Sequence, residues 1–350
     1  MPVNDADRAT MRVGLITGKQ QLELVEMPDP EPAPDKVVVD IAYCGICGTD
    51  LHAYQSGDPY NPAICGHEWT GTISAVGSEV AMAEGDRVVV AVPPACGRCD
   101  ACIAGQASMC TTVLRTQVGA GPGAATHGGF APRLAVSAER VLPAHSGLSD
   151  IEAAQVEPAT VTLHAVRHSH LVLGDLVVVQ GAGPIGLLTL QWARAAGAGH
   201  TVVVEPDAAR RSLALGLGAD RAVEPGDEAD AAVRDLRSVG ADIVYECVGR
   251  PDTVQTAVDL ARRGGSMCLI GLASGSASID PVTWLMKEVR VTAALAYTHD
   301  EFDIAMGMIA DGRVDVASLH TATVGLDDLA STFARLAAGA SDDIKVLVQP

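Results

Sequence analysis

The chain has 350 residues, and 48% of them are hydrophobic, enough apolar material for two domains with a core each. Its formal charge of −19 argues against nucleic acid or an anionic membrane as partner, because an acidic surface repels phosphate. No apolar run reaches the roughly 18 residues that a bilayer span needs, and MPVNDADRAT carries no basic-then-apolar leader, so a cytoplasmic protein handling small molecules is expected.

The first ten residues are polar and precede a second methionine in MRVGLITGK, which reads as a frayed extension or a start-site artefact. From Val13 to about Glu157 the text consists of short β-branched runs, such as Lys36-VVVDIAY-Cys44, Gly71-TISAV-Gly77 and Asp86-RVVVAV-Pro93, separated by Gly and Pro. That pattern predicts a small β-rich domain. Within it, Cys47-Gly-Thr49-Asp-Leu-His52 follows a strand, and Gly66-His67-Glu68 comes twenty residues later. A thiolate, an imidazole and carboxylates can hold zinc and still leave a position for substrate. Taken singly, each has a plainer reading: a buried cysteine, a satisfied core histidine, a solvated glutamate.

Cys96-GR-Cys99-DA-Cys102-IAGQASM-Cys110 places four thiols on one loop. They suffice to close a tetrahedral shell around zinc with no open position, so the set predicts a structural metal; an iron–sulfur cluster and a group of redox thiols are the competing readings. The other cysteines include Cys44 and Cys65, and a reducing compartment favours metal or catalysis over disulfides for the nine together.

From about Thr160 strands alternate with helix-length segments, which predicts a parallel sheet. Gly181-Ala-Gly183-Pro184-Ile185-Gly186 follows the apolar strand LVVVQ directly and opens a helix. The first glycine suits a tight turn, the second close approach of a pyrophosphate, the third helix–strand packing, with helix N-terminal amides facing phosphate. Glu205 ends the next strand, 22 residues after Gly183, where its carboxylate can accept from a ribose diol and repel a 2′-phosphate. NAD is therefore expected in preference to NADP, tempered by Arg210 and Arg211 on the following helix. Gly249 and Gly271, at the ends of two later strands, are expected close-approach points for the nicotinamide half. From about Thr298 the text returns to short mixed elements.

GICGTDLH, GHEWTG, the four-cysteine loop, GAGPIG and Glu205, in this order over nearly the whole chain, resemble the zinc-containing medium-chain dehydrogenase/reductase family. The resemblance implies an α/β chain with a GroES-like catalytic domain at 11–158 and 298–350 and a Rossmann, doubly wound NAD-binding domain at 159–297. It implies two zincs: one catalytic, on Cys47, His67 and Glu68, with Glu157 matching the glutamate of the polyol branch; the other structural, on Cys96, Cys99, Cys102 and Cys110. It further implies a proton path from Thr49 to His52, whose unperturbed pKa of about 6.5 suits exchange with solvent.

The motif around Glu157-Pro158 and LAYTHDEF near Tyr297 are similar to the sorbitol, 2,3-butanediol and threonine dehydrogenase group, with amino-cyclitol dehydrogenases also similar. An alcohol or polyol substrate and a homodimer or homotetramer are the resulting expectations. The chain departs from the family's usual pattern at Gly129-Phe-Ala-Pro132-Arg133, where relatives often carry a glutamate and an aromatic, and at His299. Rival readings are a zinc-free reductase on the same fold, which would need neither metal set, and a non-catalytic cofactor-binding protein.

Overall fold

The computed structural model describes residues 9–121 and 124–350; of the expected amino-terminal extension, residues 1–8 lie outside the described residues. Its strands are β1 (Thr10–Gly18), β2 (Gln21–Pro28), β3 (Lys36–Gly45), β4 (Glu68–Val76), β5 (Arg87–Val90), β6 (Arg133–Ser137), β7 (Val141–Pro143), β8 (Leu176–Gln180), β9 (His200–Val204), β10 (Arg221–Val223), β11 (Ala241–Glu246), β12 (Ala261–Leu269), β13 (Arg290–Ala293), β14 (His320–Gly325) and β15 (Lys345–Gln349). The chain divides into two compact units. One comprises residues up to Glu157 with Thr298–Ala310 and Ala317–Pro350; the other comprises Pro158–Tyr297 with Asp311–Val316.

In the first unit a seven-stranded sheet runs β14-β15-β3-β4-β5-β7, with β6 also on β3, and β1 and β2 form an antiparallel hairpin. Val37, Val39, Ile73, Val88 and Val90 come from alternating, β-branched strands and pack with Phe130, Leu329 and Phe333 into one apolar cluster. The carboxy-terminal β15 lies antiparallel to β3, with Leu347 opposite Gly45, and β3 in turn sets Gly45 opposite Glu68 on β4. Two remote stretches thereby meet at one sheet position.

The second unit is a six-stranded, all-parallel sheet in the order β10-β9-β8-β11-β12-β13. Numbered within the unit, this is 3-2-1-4-5-6, the doubly wound order, whose reversal lies between β8 and β11. Every residue of β8 is buried, as expected for a central strand covered on both faces, which explains why LVVVQ shows no polar alternation. Asp311–Val316 belongs here because Gln191 donates to the Asp315 carbonyl at 3.0 Å and accepts from the Asp315 amide at 2.6 Å, while Val314 and Val316 are buried.

Candidate functional site

Cys47 is the N-cap of the helix Gly48–Ser56: its sulfur accepts from the Thr49 amide at 3.5 Å, and its own amide donates to Asp50 at 3.1 Å. This reciprocal box fixes the sulfur at the helix N-terminus. Three and a half ångströms is also an ordinary sulfur hydrogen bond, so the thiol is oriented without being consumed. His67 precedes β4, and its Nδ1 lies 2.9 Å from the Ile64 carbonyl. A carbonyl can only accept, so Nδ1 carries the proton and Nε2 keeps its lone pair for a metal. Cys47, His67 and Glu68 each bring a donor atom into a group whose members lie within 4.8 Å of one another. Glu157 is buried outside that group, yet its charge acts on His67.

Burial by itself would lower the His67 pKa, but the charges of Cys47, Asp50 and Glu157 outweigh it and hold the imidazolium form well above its usual range. An assembly of a thiol, an imidazole and carboxylates that attracts positive charge this strongly suits a divalent cation with an N, S and O shell. The fit is that of zinc with at least one position left for substrate.

The four-cysteine loop fits a saturated site. Cys96, Cys99, Cys102 and Cys110 place their sulfurs within 4.8 Å of one another, all nine cysteines are free thiols, and Cys99 and Cys110 are 3.9 Å apart. Zinc–sulfur bonds of about 2.3 Å imply a tetrahedral edge of roughly 3.8 Å. Amide donation from Arg98 and its neighbours pulls Cys96 down to about 6, and donation from Cys102 pulls Cys99 to about 7, whereas burial pushes Cys102 up to about 12. Ile103 and Met109 on this loop are exposed, so they do not hold it by apolar packing; a metal can.

In the second unit Gly181 has φ +91°, a conformation that favours glycine, and a side chain at Gly186 would overlap the Gly181 carbonyl oxygen. Gly183 caps the helix Pro184–Ala195, with Pro184 at its first position and Ile185 half-buried behind it. A side chain at Gly183 would meet nothing within 4 Å. The turn thus has one glycine demanded by conformation, one by packing, and one facing open space where a pyrophosphate fits. Glu205, just beyond β9, accepts from the amides of Ala182 at 2.7 Å and Asp207 at 3.0 Å. A carboxylate has about four acceptor sites, so capacity for a ribose diol remains. Gly249 and Gly271 pack against each other, each leaving no room for a side chain.

Residues 33–146 match the family model described as the alcohol dehydrogenase GroES-like domain, and residues 184–311 match the one described as zinc-binding dehydrogenase. The sorbitol dehydrogenase of Bacillus subtilis is 30% identical over 351 residues, covering 97% of both chains. The chain belongs to the zinc-containing medium-chain dehydrogenase/reductase family. Among solved structures, 2R,3R-butanediol dehydrogenase from Bacillus subtilis superposes with a TM-score of 0.82 at 30% identity, covering 97% of this chain and 99% of that one. A zinc-binding dehydrogenase from Sinorhizobium meliloti, bound to NADP, gives 0.84 at 30% identity, covering 98% and 100%.

Several residues that order this dehydrogenase's site carry little sequence signal. Asp50 is fully buried and accepts from the Tyr60 hydroxyl at 2.6 Å and the Gly66 amide at 3.3 Å, with His67 Nδ1 at 3.8 Å. Its pKa stays raised because burial outweighs the opposing effects of His67, Tyr60 and Cys47. Asp50 sits inside GICGTDLH, yet its role appears only once Tyr60 and Gly66 fold over it. Lys345 is buried against Glu68 and donates to the Ile46 carbonyl at 3.1 Å. No local pattern could have linked residues 277 apart.

The two departures from the family pattern have separate explanations. Arg133 pairs with Asp29 at 2.5 Å and Asp40 at 3.0 Å and donates to Ser74, while Phe130 is buried edge-on to Phe333, so this segment serves packing and an ion network. His299 is anchored through Nδ1 to the Val92 carbonyl at 2.7 Å. Arg211 is likewise engaged, holding the Glu205 and Pro206 carbonyls and pairing with Glu224.

Proposed function

We propose that this chain transfers a hydride between a secondary alcohol, diol or polyol, or the corresponding ketone, and a nicotinamide dinucleotide, with NAD preferred. The observation that carries the reading is one chain with an open Cys47–His67–Glu68 set, a saturated four-thiol set and a glycine turn with a clear approach at Gly183. Sorbitol, xylulose and butanediol chemistry among the relatives' names supports the substrate class. Cys47, His67, Glu68 and Glu157 would hold the catalytic zinc, and Cys96, Cys99, Cys102 and Cys110 the structural one.

Bound zinc supplies Lewis acidity, which makes an alcohol proton far easier to lose near neutral pH. Thr49 and His52 lie three residues apart on the helix Gly48–Ser56, hence on one face. Thr49 would receive the substrate's proton at its hydroxyl oxygen as it gives up its own hydroxyl proton toward His52, which would exchange with solvent; among the described residues His52 is half-buried and makes no side-chain hydrogen bond. Gly181, Gly183, Pro184, Ile185, Gly186, Glu205, Arg210, Gly249 and Gly271 would frame the dinucleotide. Zinc content per chain, measured alongside NAD and NADP reduction with sorbitol, 2,3-butanediol, threonine, amino-cyclitols and simple secondary alcohols, tests this. Two zincs and NAD-linked oxidation of a diol or polyol are expected; one zinc with no turnover would overturn it.

The cofactor preference rests on Glu205. Replacing Glu205→Gln removes the charge and keeps one carbonyl oxygen as acceptor, enough for one of the two amides, Ala182 and Asp207, that bond separate oxygens of the carboxylate. The ratio of kcat/KM for NAD over NADP should fall about tenfold, the equivalent of roughly 1.4 kcal/mol of lost repulsion. An unchanged ratio would remove Glu205 from cofactor selection.

The assembly proposed is a homodimer through β13. Among the described residues this edge strand pairs only with β12 and exposes Val291, and the adjoining helix Pro281–Lys287 exposes Val282, Leu285 and Met286. A short edge strand beside an exposed apolar helix face is suited to being covered, and a two-fold copy covers it symmetrically. Sedimentation should give a dimer for the wild type and a monomer for Leu285→Glu/Val291→Glu; a wild-type monomer would refute the interface.

A further inference from the structure

Glu68 and Lys345 form a buried ion pair beside the metal set, with both side chains at most 3% exposed. The lysine ammonium contacts Glu68 Oε2 and also donates to the Ile46 carbonyl, one residue before Cys47. Gly45 clears the slot: a Cβ there would overlap Glu68 Oε2 and come within 2.9 Å of Lys345 Cε. Its backbone is not left-handed, so the crowding at this position comes from the Glu68 and Lys345 side-chain ends alone. Three elements, β3, β4 and β15, are therefore shaped around this one contact.

Charge explains why. Cys47 as thiolate, Asp50, Glu68 and Glu157 bring four negative charges to one region, more than a divalent cation offsets. A buried unpaired charge costs several kcal/mol, and the ammonium, held on Glu68, offsets one of those that remain. We propose that Lys345 is a positioning residue for the catalytic metal: by holding Glu68 Oε2 it restricts Glu68 to a single oxygen toward the ion and so keeps a position open for substrate. This rests on the metal set of the proposed function. Without Lys345, Glu68 loses its competitor cation and closes on the metal with both oxygens.

The test uses the full chain loaded with zinc or with cobalt(II), whose visible absorption weakens as coordination rises from four to five. Metal bound at the Cys47 set of the wild type is the first requirement, and its absence would refute the proposed function itself. Given that metal, Lys345→Met should weaken the cobalt absorption and slow zinc release to a chelator on the order of tenfold. Lys345→Arg should retain the wild-type spectrum, and Lys345→Met/Glu68→Gln should not show the weakened band, because an amide does not close with both atoms.

A wild-type spectrum in Lys345→Met, or unchanged or faster zinc release, would overturn the proposal while leaving the metal set standing. Should Lys345→Met fold only poorly, zinc added during expression should rescue it, since the ion then meets the charge of Glu68. Failure of zinc to rescue folding would equally overturn the proposal.

Discussion

His67→Ala should leave the chain folded with one zinc fewer and lower turnover by at least about a thousandfold. A metal ion acting on a developing oxyanion contributes several kcal/mol, and each 1.36 kcal/mol is a factor of ten. The imidazole is held by polar contacts, a bond to the Ile64 carbonyl and the neighbouring Asp50 and Cys47, and is not part of the buried apolar cluster, so its removal costs little packing. The four-cysteine loop is a separate set and should keep its ion. Metal analysis with circular dichroism and steady-state rates checks all three statements. Full zinc content with normal turnover would mean that the Cys47 set is not the reaction centre.

The second large effect separates packing from ligand approach in the glycine turn. Gly186→Val would drive a side chain into the Gly181 carbonyl, whose own backbone is confined to a left-handed turn. A loss of about 3 kcal/mol or more is expected, at the upper end for overpacking, with dinucleotide binding lost as the turn distorts. Gly183→Ala should behave in the opposite way. Its φ of −74° suits any residue and a Cβ meets nothing within 4 Å, so stability should hold or rise slightly. NADH affinity should nevertheless fall by on the order of tenfold, about 1.4 kcal/mol, because the methyl occupies the pyrophosphate's approach. Melting temperature and NADH fluorescence titration separate the two. If Gly183→Ala binds NADH normally, the phosphates do not sit over this turn.

Much of the architecture is legible in local text. The run LVVVQ followed by GAGPIG specifies a buried strand, a tight turn and a helix, because only glycine fits Gly181 and Gly186 and only a doubly covered strand is apolar throughout. The cysteine spacing from Cys96 to Cys110 is equally informative, since four thiols on one short loop reach a common centre whatever the rest of the chain does. Gly249 and Gly271 are legible only in part. Both mark strand ends, but that they pack on each other is a fact of β11 lying beside β12.

The open site is where local text runs short. Cys47, His67 and Glu68 can be named from two motifs, but their order in space depends on a hub that no spacing reveals. Asp50 collects the Cys47 amide, the Gly66 amide and the Tyr60 hydroxyl into one set of polar contacts. Similarly, Arg133 reads as a break in a family pattern, and only the folded chain shows it paired with Asp29 and Asp40.

By itself, then, the sequence determined the donor types, the glycine turn, the β-rich and βαβ halves and the family. These depend on residue chemistry and on spacings of a few residues, over which the chain has little freedom. The tertiary structure alone decided what surrounds the donors. Pairing β15 with β3 brings Lys345 to Glu68 across 277 residues, and a buried ion pair, unlike a turn or a loop of thiols, leaves no trace in the spacing between its partners.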